Sequence, residues 1–500
     1  MPGKGGIAQK NESKWITYCF ASPYTKITTM IKHYGTLGMG LLALMSLSLL
    51  APAPFAPSPS NGPEAHYATY CAGCHGETME AFVDRKWVYG NSREDLFKAI
   101  KYGYEDGGMP SYDTTFTDKE VYALADYILG GIQKRMAYDF QDEAPQSDTF
   151  SSNGLRFHLD TVAAGIEVPW SMAFLPDGDM LITERGGTLY RRTKEGKVET
   201  VAGSPEVKAR GQGGLMDVIL HPDFETNSSI YLSYSKPKAP GDENLATTAI
   251  LRAKLEGNRL TQQEDIFIAL PYATTRHHYG SRLQFGQDGY LYFSVGDRGN
   301  REQNPQNLDN HCGKIHRIKE DGSIPEDNPF VEEKGAMASI YSYGHRNPQG
   351  VAMNPETGDI WAHEHGPRGG DELNLIQKGV NFGWPEISYG INYNGTTFTN
   401  KTAMDGMEQP VTYWIPSIAP SGMAFITGGR YPDWEGSLLV GSLRFKYLNL
   451  CRMEGNQVVE EEKLLKNIGR VRDVRMGPDG YIYVAVENPG YIFRLMPLGE

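Results

Sequence analysis

The rhythm of apolar and polar positions changes several times along the chain. Residues 37–50, LGMGLLALMSLSLL, form an uncharged apolar run of 14 residues. That is short for a membrane span and normal for the apolar region of a signal peptide. Residues 52–63, PAPFAPSPSNGP, have no periodicity and read as an extended spacer. Helical spacing follows. Residues 65–70 predict one short helix, 91–101 a second with Leu96 and Ile100 inward behind an Asn91 or Ser92 cap, and 118–129 a third with Val121, Leu124 and Ile128. Residues 138–154 are polar, acidic and serine-rich and predict a linker. Beyond them the pattern turns to strands.

The strand region is an internal repeat, each copy an apolar strand, a Pro/Asp/Gly turn and a second apolar strand. The turns are Leu175-Pro-Asp-Gly178, His221-Pro-Asp-Phe224, Gly286-Gln-Asp-Gly289, Asn354-Pro-Glu-Thr-Gly358, Tyr431-Pro-Asp-Trp434 and Gly477-Pro-Asp-Gly480. Their spacing of about 45 to about 70 residues suits four-stranded blades with unequal loops. No amphipathic helix alternates with the strands, which argues against a parallel α/β sheet. The fold expected is an all-β six-bladed β-propeller over 155–498 behind a small all-α domain over 61–137.

Composition narrows the function. The 500 residues carry a formal net charge of -13, so there is no electrostatic case for nucleic acid. Five cysteines exclude a disulfide-built scaffold. Cys312 and Cys451 either pair or are separate thiols. The leader, over 1–60, is expected to direct export to the periplasm or beyond, whether cleaved or retained as an anchor.

Within the helical segment stands Cys71-Ala-Gly-Cys74-His75. Two thiols at this spacing add to the vinyl groups of a haem, and the adjacent imidazole reaches the iron. A zinc half-site would want a second Cys/His pair nearby, and none occurs before His158. A redox dithiol would not need His75. Met109, in a Gly-Gly-Met-Pro loop 34 residues after His75, suits a sixth ligand; the alternative is a core-filling methionine. Residues 61–137 resemble a small class I c-type cytochrome, which implies covalent haem c and, independently, export.

The propeller loops hold the remaining chemistry: Arg210-Gly-Gln212, Arg276-His277-His278, His345-Arg346-Asn347, Glu364-His365-Gly366-Pro367-Arg368 with Asp371 and Glu372, and Arg470-Val-Arg472-Asp473. Arg470 and Arg472 share a strand face because the strand period is two. Several arginines at one mouth imply a polyanionic, carboxylate-bearing ligand. A histidine of near-neutral pKa supplies a general base. Acids and carbonyls in a Gly/Pro loop suit calcium.

The motifs RGQGG, HHYGSRL, SYGHRNPQG, EHGPRGGDE, APSGMAF, GSLRFK and RVRDV, in this order, resemble the soluble quinoprotein glucose dehydrogenase family, in its branch of PQQ-dependent aldose sugar dehydrogenases. The resemblance covers roughly 155–498. It implies PQQ, a tricarboxylate ortho-quinone, over the channel. It implies His278 as base for the anomeric hydroxyl and Arg346 polarising the quinone carbonyl. Asn347, Ser421, Arg444, Arg470 and Arg472 would hold the cofactor, with Gln212 on the substrate side. The carbonyls of Gly366 and Pro367 would bind a calcium that also chelates PQQ, and Glu372 with the carbonyl of Phe382 a second, structural calcium. Four positions depart from the family pattern. Arg444 replaces a usual lysine, Phe382 a tyrosine, His277 an aspartate and His365 a glutamine of the glucose branch. The tethered haem implies electrons passing from sugar to PQQ, to haem, and on to an external cytochrome or oxidase. A calcium-dependent propeller hydrolase and a glycan-binding propeller are the rival readings. Hydrolysis needs no electron carrier, which counts against the first.

Overall fold

The computed structural model describes residues 62–71, 89–104, 109–136, 144–152, 155–242, 244–393, 396–487 and 489–498. The leader, Cys74 and His75 lie outside the described residues.

Three helices make the small domain: Pro63–Tyr70, Arg93–Tyr102 and Asp118–Met136. Proline in the first turn starts the first helix. Ser92 caps the second, and its hydroxyl and the Asp95 carboxylate close a reciprocal capping box. The third begins behind a Thr117/Glu120 pair and runs to Met136, beyond the 129 expected. Tyr67, Leu96, Ile100, Val121, Leu124 and Ile128 bury together, and Cys71 and Met109 pack on the same core.

The strands form six sheets, five of four strands and one of five. The innermost strands are Pro169–Phe174, Leu215–Leu220, Leu283–Phe285, Pro348–Met353, Pro420–Phe425 and Arg470–Met476. Each touches the next, and the last touches the first, so the ring closes as a six-bladed propeller. Closure uses both ends of the chain. Leu155–Ala164 pairs antiparallel with Tyr491–Leu498, from Arg156 opposite Leu498 to Ala164 opposite Tyr491. One expectation needs correcting. Thr149–Ser152, inside the stretch read as linker, is a strand on the outer edge of this sheet. Phe150 stacks on Phe157 at 5.9 Å, apolar contact that a polar-looking sequence hid.

All six expected turns join the first and second strands of their blades. In three of them the aspartate side chain accepts the N–H two residues on, from Asp179, Tyr290 and Tyr481. Gly178, Gly289 and Gly480 then take φ of +90°, +76° and +77°, where a side chain would be strained.

Between blades lie the cores. Leu438 and Val440 pack toward the fourth blade while Leu439, between them, packs toward the sixth. A strand sandwiched on both faces needs apolar residues at consecutive positions, hence runs such as Leu438-Leu-Val rather than strict alternation.

Charge fills the centre instead. Arg282 is buried and donates to Asp473 at 2.8 Å and Asp217 at 3.3 Å. Arg475 donates to Asp473 at 3.0 Å and Asp217 at 2.6 Å. Ser171 adds a hydroxyl to Asp217 at 2.5 Å. Two cations and two anions thus tie the inner strands of blades one, two, three and six into a neutral plug. Cys312 and Cys451 are unpaired thiols in separate inter-blade cores, one on blade three and one on blade five.

Candidate active site

The Pro/Asp/Gly turns all lie at one end of the blades. The opposite end is built from the connections between blades and the loops after each second strand, which hold the expected site loops; Phe382 lies instead between the third and fourth strands of blade four.

His278 lies in the connection between blades two and three at φ +58°. Its N–H donates to Gln212 Oε1 at 2.7 Å, which fixes that amide. Close approach is possible because residue 296 is glycine; a Cβ there would stand 2.3 Å from the His278 carbonyl. The ring is buried, and Nδ1 lies 2.6 Å from Asp297 Oδ1. Burial, and then the Arg346 charge, push the imidazole pKa down to about 4. Asp297 also accepts the Gly299 N–H at 2.7 Å and the Trp384 indole at 2.9 Å. Although burial opposes it, interaction with His278 and further donors holds its pKa below the usual carboxylate value. An ionised carboxylate only accepts, so Nδ1 carries the proton and Nε2 presents a lone pair. The base is thus fixed in one tautomer and stays neutral at pH 7.

Asp297 and Trp384 were not foreseen. They come from two different loops, 19 and 106 residues beyond His278, and no spacing rule links them. The only signal was Asp297 at the end of an apolar strand, in Val295-Gly-Asp297-Arg.

Arg346 stands between blades three and four. Its Nη1 donates to the carbonyls of His365 and Gly366, each at 2.9 Å, and its guanidinium lies 5.4 Å from the Trp384 ring centre. Glu364 accepts the Arg346 main-chain N–H and, at 2.8 Å, His345 Nδ1. Asn347 is buried, with Oδ1 taking the Gly280 N–H at 3.2 Å. Its Nδ2 has no partner, a buried donor awaiting an acceptor.

Arg470 and Arg472 do share a face. Nε of Arg470 lies 3.0 Å from one oxygen of Glu487, and Nε of Arg472 lies 2.6 Å from the other. Glu487, also unforeseen, splays the two guanidiniums side by side. Arg444 is exposed and donates to the Ser417 carbonyl at 3.1 Å. Ser421 is placed differently from expectation. It lies inside the strand Pro420–Phe425, fully buried, and donates to the Val471 carbonyl at 2.6 Å. Its hydroxyl is a strut between blades five and six. The serine beside Arg444 is Ser417, whose hydroxyl meets both oxygens of Asp371 at 2.8 Å.

The Gly366–Pro367 loop is anchored by the Gly366 N–H, which donates to Asp371 at 2.8 Å. The Gly366 carbonyl, already serving Arg346, keeps one lone pair. Glu372 is only partly exposed. Desolvation, then Glu364, raise its pKa well above the ordinary carboxylate value. Asn374 reaches Glu364 at 3.4 Å and Glu372 at 3.3 Å through Nδ2, and its buried Oδ1 has no donor. Crowded carboxylates and an orphan amide oxygen fit a hard cation. Among the described residues no three His, Cys, Asp or Glu side chains gather as a metal cluster, so a cation here would draw on carbonyls. The Phe382 ring stacks on His345 at 4.7 Å.

A propeller whose cationic mouth encloses a buried neutral imidazole, joined to a cytochrome-type helical domain, defines an oxidoreductase. Comparison with known proteins agrees. Residues 166–494 match the glucose/sorbosone dehydrogenase family, and 60–128 match the subunit III family of cbb3-type cytochrome c oxidase. The chain is 44% identical over 348 residues to the aldose sugar dehydrogenase YliI of Escherichia coli, spanning 68% of this chain and 93% of that protein. It is 28% identical over 416 residues to quinoprotein glucose dehydrogenase B of Acinetobacter calcoaceticus, spanning 67% of this chain and 86% of that one. The apo crystal structure of the soluble Escherichia coli aldose sugar dehydrogenase superposes with a TM-score of 0.65 at 40% identity, over 68% of this chain and all of the other. The PQQ-bound aldose sugar dehydrogenase of Streptomyces coelicolor superposes at 0.56 and 28% identity, over 68% of this chain and 98% of the other. The chain belongs to the glucose/sorbosone dehydrogenase family, with a c-type cytochrome domain at its N-terminal side.

Proposed function

We propose that this protein oxidises aldose sugars at C1 to the lactone, with PQQ in the propeller mouth and haem c in the helical domain. The observation that carries the reading is the His278–Asp297 pair set beside Arg346 at an arginine-lined opening. When bound, PQQ supplies a two-electron hydride acceptor and haem c a one-electron outlet.

The rest is the work of the chain's own groups. His278 Nε2 accepts the proton of the anomeric hydroxyl as hydride leaves C1. Asp297 steadies the imidazolium that results. Arg346, preplaced by two carbonyls, meets the negative charge developing on the acceptor oxygen. Arg470, Arg472 and Arg444 would hold the carboxylates of the cofactor, where the orphan Nδ2 of Asn347 would find an acceptor. Gln212, fixed by the His278 N–H, lines the substrate side.

The carbonyls of Gly366 and Pro367 would hold one calcium against the cofactor. Glu372, the Phe382 carbonyl and the orphan Asn374 Oδ1 suit a second. In the helical domain, Cys71 would carry one thioether and Met109, packed on the same core, would ligate the iron. Cys74 and His75 complete the set. The helical domain spans 61–137, and the propeller is taken from 149. Electrons then pass to an external cytochrome or oxidase. Covalent haem attachment would put the protein outside the cytoplasm. No helix among the described residues is long and apolar enough to cross a membrane.

The test uses the purified chain freed of cofactor, with calcium, an aldose and a redox dye, with and without PQQ. Activity should require PQQ, and sugar should reduce the haem when dye is omitted. Turnover without PQQ would point to a different enzyme, and a haem that stays oxidised would sink the electron route.

A further inference from the structure

Four guanidiniums, Arg346, Arg444, Arg470 and Arg472, are assigned above to a tricarboxylate. The mouth holds more. Arg210 and Arg276 flank Gln212, the substrate-side amide. Arg210 lies two residues before it, and the Arg276 carbonyl accepts the Gln212 N–H at 2.8 Å. The approach is close: a Cβ on Gly211 would stand 2.7 Å from the Arg276 Cβ. Arg185 reaches the same loop through the Gly211 carbonyl, and the neighbouring Glu184 is turned to the Gly186 N–H at 2.8 Å. Lys208 lies buried beside them. Burial, and the charges of Arg210, Arg276 and Arg298, hold its pKa down despite the pull of Asp242.

Arg298 is used internally, donating to the Thr275 carbonyl at 2.9 Å and lying 3.5 Å from the Tyr279 ring centre. Arg210 and Arg276 are not. Both are exposed, and among the described residues neither guanidinium has a hydrogen-bond or ion-pair partner. In a chain of net charge -13, an unbalanced cationic rim on the sugar side of the base asks for an anion.

We infer that the aldose oxidised here carries an anionic substituent, a carboxylate or a phosphate, gripped by Arg210 and Arg276 while Gln212 and His278 address its reacting end. This rests on the reading of the site given above. The chemistry at C1 is unchanged: the C1–H bond breaks as hydride to the quinone, the O–H proton goes to His278, and C1–O1 becomes the lactone carbonyl. The distal anion takes no part in the electron balance. It fixes the ring by charge-assisted hydrogen bonds, which arginine makes bidentate with either anion.

The experiment compares glucose, glucuronate and glucose 6-phosphate on the full chain loaded with PQQ and calcium, at low and high salt. At low salt at least one acidic sugar should exceed glucose in kcat/KM by roughly tenfold or more, mostly through KM, with the advantage shrinking at high salt. The two acidic arms show whether carboxylate or phosphate is read. In the Arg210→Gln, Arg276→Gln double variant the ratio of acidic to neutral sugar should fall about tenfold, and lysines at both positions should restore part of it. A preference for glucose over both acids, or an equal loss on all three sugars, overturns the inference. Fluorescence titration with glucuronate separates the two levels of argument. Binding lost in the double variant but present in a protein that PQQ does not activate would sustain the anion site and sink the sugar oxidation. If neither glucuronate nor glucose 6-phosphate, titrated in the same way, binds the native protein, the anion site alone is sunk.

Discussion

Replacing Asp297 by asparagine isolates the proton-handling half of the site. The carboxylate holds three donors, the His278 Nδ1–H at 2.6 Å, the Gly299 N–H at 2.7 Å and the Trp384 indole at 2.9 Å. An amide of the same shape that keeps its oxygen toward Trp384 gives up the Gly299 N–H, which shares Oδ1 with the His278 ring nitrogen. Its NH₂ then faces Nδ1 and drives the ring proton to Nε2, where the sugar proton must go. The variant also loses the charge that steadies the imidazolium. Unit charges about 4 Å apart at an effective dielectric near 20 attract by about 4 kcal/mol. That is about a thousandfold in rate, and reversing the tautomer in an analogous triad costs about 10⁴. We expect kcat to fall by about 10³ to 10⁴, with PQQ affinity changed far less. The pH profile gives a second check. In the native protein burial and Arg346 hold His278 at about 4, and Asp297 opposes both. The base is neutral above that value, so the acid limb of kcat/KM should fall near pH 4 rather than the ordinary imidazole value. Removing Asp297 removes the opposing influence and moves the limb lower still, so raising the pH will not rescue the variant. Single-turnover reduction followed by dye or haem absorbance measures both quantities. A variant within tenfold of the native rate, or a native limb at pH 6 to 7, refutes the assignment.

Arg472→Gln leaves Glu487 with only Arg470 and should raise the PQQ dissociation constant roughly tenfold to a hundredfold in equilibrium titration; unchanged affinity would remove Arg472 from the cofactor site. Asp217→Ala strips the central plug of an acceptor for Arg282, Arg475 and Ser171 and should cost about 3–5 kcal/mol, seen as a lower urea midpoint at constant slope. A loss below about 1 kcal/mol would mean the plug is not a structural lock. Chelating calcium should lower the thermal midpoint and its restoration raise it, through a stabilisation of about 2.7 kcal/mol at a hundredfold excess over the dissociation constant. Glu372→Gln should shrink that increment, and an undiminished one would place the cation elsewhere. Met109→Ala should lower the haem midpoint potential in a redox titration, because thioether ligation raises it; an unmoved potential would make Met109 a core residue only.

What the sequence reveals and what it hides divide along a physical line. The six turns were legible because each is local in sequence; in three of them an aspartate accepts an N–H two residues on and a glycine takes the left-handed region. The helices were legible through Ser92 and through Leu96 and Ile100 at helical spacing. Arg470 and Arg472 were legible because strand geometry alone puts them side by side. Asp297 and Trp384 were hidden because they reach the site from loops of different blades, and Glu487 because only the pairing of Arg470–Met476 with Ile482–Glu487 sets it opposite Arg470. Ser421 misled for a related reason. As the second residue of its strand it faces the neighbouring blade, while Ser417, just before the strand, stays at the mouth. In sequence both serines sit in similar Pro- and Ala-rich company. Thr149–Ser152 shows the converse error, a polar composition whose one aromatic, Phe150, has a stacking partner that sequence alone does not show.

The arginines show how one residue type is given opposite tasks. Arg282 is fully buried and Arg475 mostly so, and each meets two carboxylates. A buried guanidinium without them would carry a penalty of several kcal/mol, so their charge is spent before any ligand arrives. Arg472 and Arg470, at the opposite end of the same strand from Arg475, share a single carboxylate. Arg210 and Arg276 have none among the described residues. From Arg282 and Arg475, through Arg472 and Arg470, to Arg210 and Arg276, the positive charge left without a carboxylate grows from the centre to the rim. An anionic ligand therefore finds no attraction in the plug, a strong and oriented one where the cofactor is expected, and a softer, salt-sensitive one at the edge. Specificity for a charged sugar belongs at that edge, where an arginine can be exchanged without unmaking the fold.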